Sequence, residues 1–99
     1  MSRVLVQDAA GSVRISEAAV LDLVAGAVSG VDGVRLRRRG LSLELADGHA
    51  RAELDVTAAL GLVLPDAARA VQERVGEALA GMCGVEVDAV DVAVVELTR

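Results

Sequence analysis

From His49 to Ala58 the chain alternates without a break: Ala50, Ala52, Leu54, Val56 and Ala58 fall on one side, and His49, Arg51, Glu53, Asp55 and Thr57 on the other. A period of two over that length is the pattern of a strand covered on one face and open on the other. The chain must therefore build a sheet, and something must lie over its apolar side. Asp47-Gly48, just before this stretch, is a residue pair that two-residue hairpin turns favour. Leu41-Ser42-Leu43-Glu44-Leu45, whose leucines share a face, is then the antiparallel neighbour. Ahead of it Val34-Arg35-Leu36-Arg37 alternates as a further short strand, which Arg38-Arg39-Gly40 is expected to turn.

Two segments carry helical rather than strand spacing. Ser16 stands where an N-cap belongs, Glu17 complements the helix dipole in the first turn, and Val20, Val24, Ala27 and Val28 recur on one face before Gly30 stops the helix. Pro65 suits the first turn of a second helix, whose buried stripe is expected to be Val71, Val75, Leu79 and Met82. Beyond Gly84 the chain alternates again to Leu97, but the phase slips between Val87 and Val90, so a bulge is expected before a final strand over Val90 to Glu96. Val13-Arg14-Ile15 reads as an edge strand. The expected order is β-α-β-β-β-α-β: an α+β two-layer sandwich with two helices packed on one face of a small mixed or antiparallel sheet. Residues 1–10 are expected to be a weakly ordered start and residues 11–99 a single domain.

A chain of 99 residues supports one core, and this one is 54% apolar with no Phe, Tyr or Trp. The core must be made of Val, Leu and Ala, which is thin in large side chains, and self-association is one way to make up buried area. All ten basic residues are Arg, yet the net charge is −5 and the isoelectric point near 4.7, which argues against whole-surface nucleic-acid binding. The apolar runs are too short for a secretory signal or a membrane span, so a cytoplasmic protein without direct membrane insertion is expected. Cys83 is the lone cysteine, which excludes an internal disulfide and fits a reducing compartment.

Several punctuating residues, in order, carry a resemblance. These are Gly11-Ser12-Val13-Arg14-Ile15-Ser16-Glu17-Ala18-Ala19-Val20, then Val31-Asp32-Gly33-Val34, then Gly61 with Leu64-Pro65-Asp66, then Met82-Cys83-Gly84-Val85, and last Val90-Asp91-Val92-Ala93-Val94. Together they resemble the alkaline-shock, or general-stress, family of envelope stress response proteins of Gram-positive bacteria, over nearly the whole chain. The chain departs from the family at Leu60, where an aromatic is frequent, and at Asp91 and Ala93, where Asn and His are frequent. The resemblance implies a non-catalytic cytoplasmic scaffold that forms homo-oligomers and is held at the inner face of the membrane by a small membrane anchor protein. It implies no catalytic residues, no cofactor and no metal.

The residues themselves offer few sites. Arg35, Arg37, Arg38 and Arg39 form the one basic cluster, able to meet phosphates, anionic headgroups or a partner's acidic surface, and they are the candidate partner-binding residues. The alternative reading is a KH-like nucleic-acid-binding module using Arg35 to Arg39, since Gly30-Val31-Asp32-Gly33 spells a GxxG loop. That loop joins a helix to a strand and places an acid where a phosphate would lie, and no aromatic is present to stack a base, so nucleic acid is not the expected partner. His49 beside Asp47 offers one imidazole and one carboxylate, short of a metal cage, and reads as an exposed hairpin residue. Cys83 reads as a small buried apolar residue. Glu53 and Asp55 share the open strand face, where Arg51 and solvent account for them.

Overall fold

A computed structural model of the chain describes the backbone of residues 3–8 and 11–99 and the side chains of residues 16–37 and 39–99. Strands β1 (Arg3–Asp8) and β2 (Gly11–Ser16) pair antiparallel as a separate two-stranded sheet. Then follow helix α1 (Glu17–Ser29), strand β3 (Val34–Ala46), strand β4 (His49–Ala59), helix α2 (Leu64–Cys83) and strand β5 (Glu86–Thr98). The main sheet has the order β3-β4-β5, with β4 antiparallel to β3 and parallel to β5. It is thus a mixed sheet, and α2 is the crossover that a parallel pair requires. Both helices lie on one face, which is the expected two-layer α+β architecture.

The alternation of β4 is realised residue by residue. Ala50, Ala52, Leu54, Val56 and Ala58 are each 1% exposed or less, while His49, Arg51, Glu53 and Asp55 are exposed. Against this face pack Val20, Val24 and Val28 of α1 and Val71, Val75, Leu79 and Cys83 of α2. The caps follow from side-chain chemistry. Ser16 Oγ accepts the backbone N–H of Ala19 at 3.1 Å, and Gly84, in the left-handed region at φ 66°, closes α2 by donating its N–H to the Ala80 carbonyl at 3.1 Å. The Asp47-Gly48 turn has positive φ at both residues, as the two-residue hairpin turn that matches strand twist demands.

Two details differ from the sequence reading. First, the two short strands expected on either side of Arg38-Arg39-Gly40 are one strand. Leu36 pairs with Val56 and Leu41 with Leu54, leaving Arg37 to Gly40 opposite Asp55 alone. Leu36 and Leu41 must both cover the same core from the same neighbour strand, so the surplus residues bulge instead of reversing the chain. Second, Met82 is 71% exposed and Cys83 takes its place in the core at 3%. The buried residues of α2 follow the i, i+4 row, which runs obliquely to the helix axis, so by the last turn the contact has moved past Met82. Residues 3–8 form strand β1; of the stretch 1–10 expected as a weakly ordered start, Met1, Ser2, Ala9 and Ala10 lie outside the described residues. The phase slip of the last strand, by contrast, is a bulge as expected: Ala50 pairs with Val87 and Arg51 with Ala89, leaving Asp88 over.

Gly40 is buried inside the β3 bulge, and a Cβ placed there would stand 2.7 Å from the backbone oxygen of Asp55 and 2.9 Å from its Cβ. Because the obstacle is backbone of the central strand, the clash cannot be relieved by turning a side chain. Gly40→Ala is expected to destabilise the fold by about 1–3 kcal/mol, read as a lowered urea midpoint by far-UV circular dichroism. An unchanged midpoint would show that the bulge does not grip Asp55 in this way.

Candidate functional site

The helices cover one face of the main sheet, so the other face and the two outer strands are what the fold presents. Arg35 stands on the open face opposite Thr57. Arg37 and Arg39 lie in the bulge with exposed side chains, and the backbone of Arg38 runs between them. The bulge therefore gathers Arg37 and Arg39 on an outer strand of the sheet. None of Arg35, Arg37 or Arg39 takes part in an ion pair among the described residues.

The opposite edge has the opposite charge. β5 carries Glu86, Asp88, Asp91 and Glu96, all exposed, and no basic residue, whereas β3 carries four arginines against Glu44. Each strand is thirteen residues long and has a neighbour on one side only within this sheet. A long free strand edge offers unpaired N–H and C=O groups to another chain. At its far end Val95 and Leu97 are exposed apolar residues, 43% and 49% exposed, and Leu60, after β4, donates its N–H to the Thr98 carbonyl at 2.7 Å.

His49 opens β4 and lies beside Glu86 in the parallel register. Its Nδ1 is 2.9 Å from Asp88 Oδ1 and its Nε2 3.8 Å from Glu86 Oε2, with all three side chains exposed. The hydrogen bond to Asp88, and then the charges of Asp88, Glu86 and Asp47, hold the imidazole above its ordinary value near 6.5, which favours the imidazolium. The sequence brought only Asp47 to this histidine. Glu86 and Asp88 arrive from the far side of a helical crossover, and the visible clue was the phase slip at Asp88, which marks a bulge without saying which strand it faces.

The remaining candidates are quieter. Cys83 is buried, and burial pushes its thiol up, away from the thiolate that reacts. The Gly30-Val31-Asp32-Gly33 loop joins α1 to β3 beside an open depression whose lining includes Asp32 and Arg35. Glu53 and Asp55 lie exposed on the open face, with Glu53 beside Asp91 in the β4–β5 register. What the arrangement offers chemically is two charged, hydrogen-bonding strand edges of opposite sign and one histidine flanked by carboxylates. No helix among the described residues is long and apolar enough to cross a membrane.

Residues 35–99, from β3 to the end of β5, match the model of the alkaline-shock protein 23 family, described as having a cell envelope-related function. No curated protein sequence matches the chain. Among solved structures, the copper form of a MamM CTD variant superimposes with a TM-score of 0.58 at 18% identity, covering 85% of this chain and 100% of that one. The zinc form of another MamM CTD variant gives 0.53 at 18% identity, covering 83% and 87%. The MamM-CTD segment 215-293 gives 0.56 at 18% identity, covering 85% and 100%. At that identity the likeness is one of fold.

Proposed function

The chain belongs to the alkaline-shock protein 23 family, of cell envelope-related function, and from that premise we propose that it is a non-catalytic scaffold of the envelope stress response. Copies associate head to tail, the arginine-bearing β3 edge of one against the acidic β5 edge of the next. The assembly is docked at the inner surface of the membrane through a small membrane anchor protein. The observation that carries this reading is the opposite charge of the two free edges of one sheet. Charge of one sign on both edges would keep copies apart, as edge strands commonly do, whereas complementary edges steer copies together and set their register. A thin core built of valine, leucine and alanine gains from the area such contacts bury. In a head-to-tail row one β3 edge is left unmatched at the end, and there an acidic segment of the anchor has a place to bind.

Co-purification from native membranes in gentle detergent tests the docking, comparing the wild type with Arg37→Glu/Arg38→Glu by mass spectrometry of the bound proteins. The wild type is expected to recover a small membrane protein that the variant loses. Recovery by both would move the anchor contact away from the bulge. Recovery of nothing but nucleic acid would overturn the scaffold and leave the arginine cluster as a phosphate-binding surface.

A further inference from the structure

A histidine of β4 and two carboxylates of β5, strands joined only through the α2 crossover, converge at one corner of the sheet. His49 begins β4 and Glu86 begins β5, and the parallel register sets them side by side. Asp88, the extra residue of the β5 bulge, has no register partner on β4, but its carboxylate reaches His49 Nδ1 at 2.9 Å. One donor atom from each of the three lies within 4.8 Å of the others. Glu86 Oε2 stands 3.8 Å from Nε2, the other nitrogen of the same ring, so an ion held by one ring nitrogen has one carboxylate beside it and draws the second round the ring.

We propose that His49, Glu86 and Asp88 form a binding site for a divalent transition-metal ion of the zinc, nickel and copper class, with water completing the coordination. Ligand atoms of such ions stand about 2.0–2.2 Å from the metal, so the donors must draw together and one carboxylate must change rotamer to meet an ion on the ring nitrogen beside the other, a movement open to exposed side chains. The choice of ion follows from the donors. Imidazole suits zinc, nickel and copper, while calcium and magnesium ask for a fuller shell of oxygens than two carboxylates supply. Asp47, on the adjoining turn, adds negative potential to the corner. A bound ion would tie the start of β4 to the start of β5 where the ladder is broken by the bulge, and so stabilise the folded chain by mass action. The site goes beyond the scaffold reading and stands or falls independently of it.

Calorimetric titration of Zn2+ into the whole chain tests this, with Mg2+ as the contrast and His49→Ala and Glu86→Gln/Asp88→Asn as variants. All three positions are exposed, and far-UV circular dichroism verifies that the variants fold. The expected result is saturable binding of one Zn2+ per chain, weakened at least about tenfold in each variant, with a Zn2+-dependent rise in melting temperature that the variants lose. Mg2+ at the same concentration is expected to give no saturable binding. The proposal is overturned if the wild type shows no saturable Zn2+ binding, if both variants bind as the wild type does, or if Mg2+ binds equally well.

Discussion

Leu54→Ala is expected to lower the stability of the folded chain by about 2–5 kcal/mol. Leu54 is 1% exposed at the centre of β4, and no aromatic side chain is present anywhere in the chain to share its work. It lies in one cluster with Val24 and Val28 from α1 and Val71, Val75 and Leu79 from α2, all with little or no exposure. Deleting its branched end leaves a cavity bounded by short side chains whose β-branching allows little rotameric collapse. A domain of this size has only about 5–15 kcal/mol in hand, and each kcal/mol displaces the melting temperature by roughly 4–8 °C. Thermal melting by far-UV circular dichroism reads the effect. A variant that melts within a degree or two of the wild type would mean that Leu54 is not the centre of the core.

The second large effect is on association. Arg35→Glu/Arg37→Glu/Arg39→Glu would place acids on β3 as well as on β5, so that every edge-to-edge encounter between copies brings like charges together. Like-charge juxtaposition at an interface costs several kcal/mol, so the self-association constant is expected to fall by at least about a hundredfold. Folding should be untouched, since all three side chains are exposed. Sedimentation velocity with absorbance at the peptide bond, needed because the chain has no aromatic residues, is the measurement. Raising salt should imitate the variant in the wild type, because exposed charges are screened beyond about 10 Å at 0.1 M salt. Association unaffected by both changes would remove the charged edges from the interface.

Much of the fold could be read from local spacing. The alternation through Leu54, the caps at Ser16 and Gly84 and the Asp47-Gly48 turn are each decided within a few residues, and each stands where the spacing put it. The bulge at Asp88 was legible for the same reason, since a slip of phase is itself local. What could not be read depends on the neighbour strand. Arg37 to Gly40 look like a turn in isolation, and only the demand that Leu36 and Leu41 both pair with β4 makes them a bulge. Met82 and Cys83 are adjacent candidates for one helix face, and the oblique packing of α2 decides between them. Of the site, the arginine cluster was visible as a run of one residue type. Its acidic counterpart was not, because the acids of β5 are spaced among valines and gain meaning only when β5 proves to be the opposite edge of the same sheet. The carboxylates at His49 were hidden likewise behind the crossover through α2.

The most direct test of the head-to-tail scaffold is a mixing experiment with two edge-reversed chains. One carries Arg35→Glu/Arg37→Glu/Arg39→Glu on β3, the other Glu86→Arg/Asp91→Arg/Glu96→Arg on β5, which leaves three arginines there against Asp88. Each alone has edges of predominantly one sign and is expected to sediment as a monomer at low salt. Mixed in equal amounts, they are expected to associate in alternation, since each then supplies the edge the other lacks, and the complexes should dissolve as salt is raised. Failure of the mixture to associate, with the wild type also monomeric at every salt concentration, would contradict the proposal that opposite strand edges join copies of this chain.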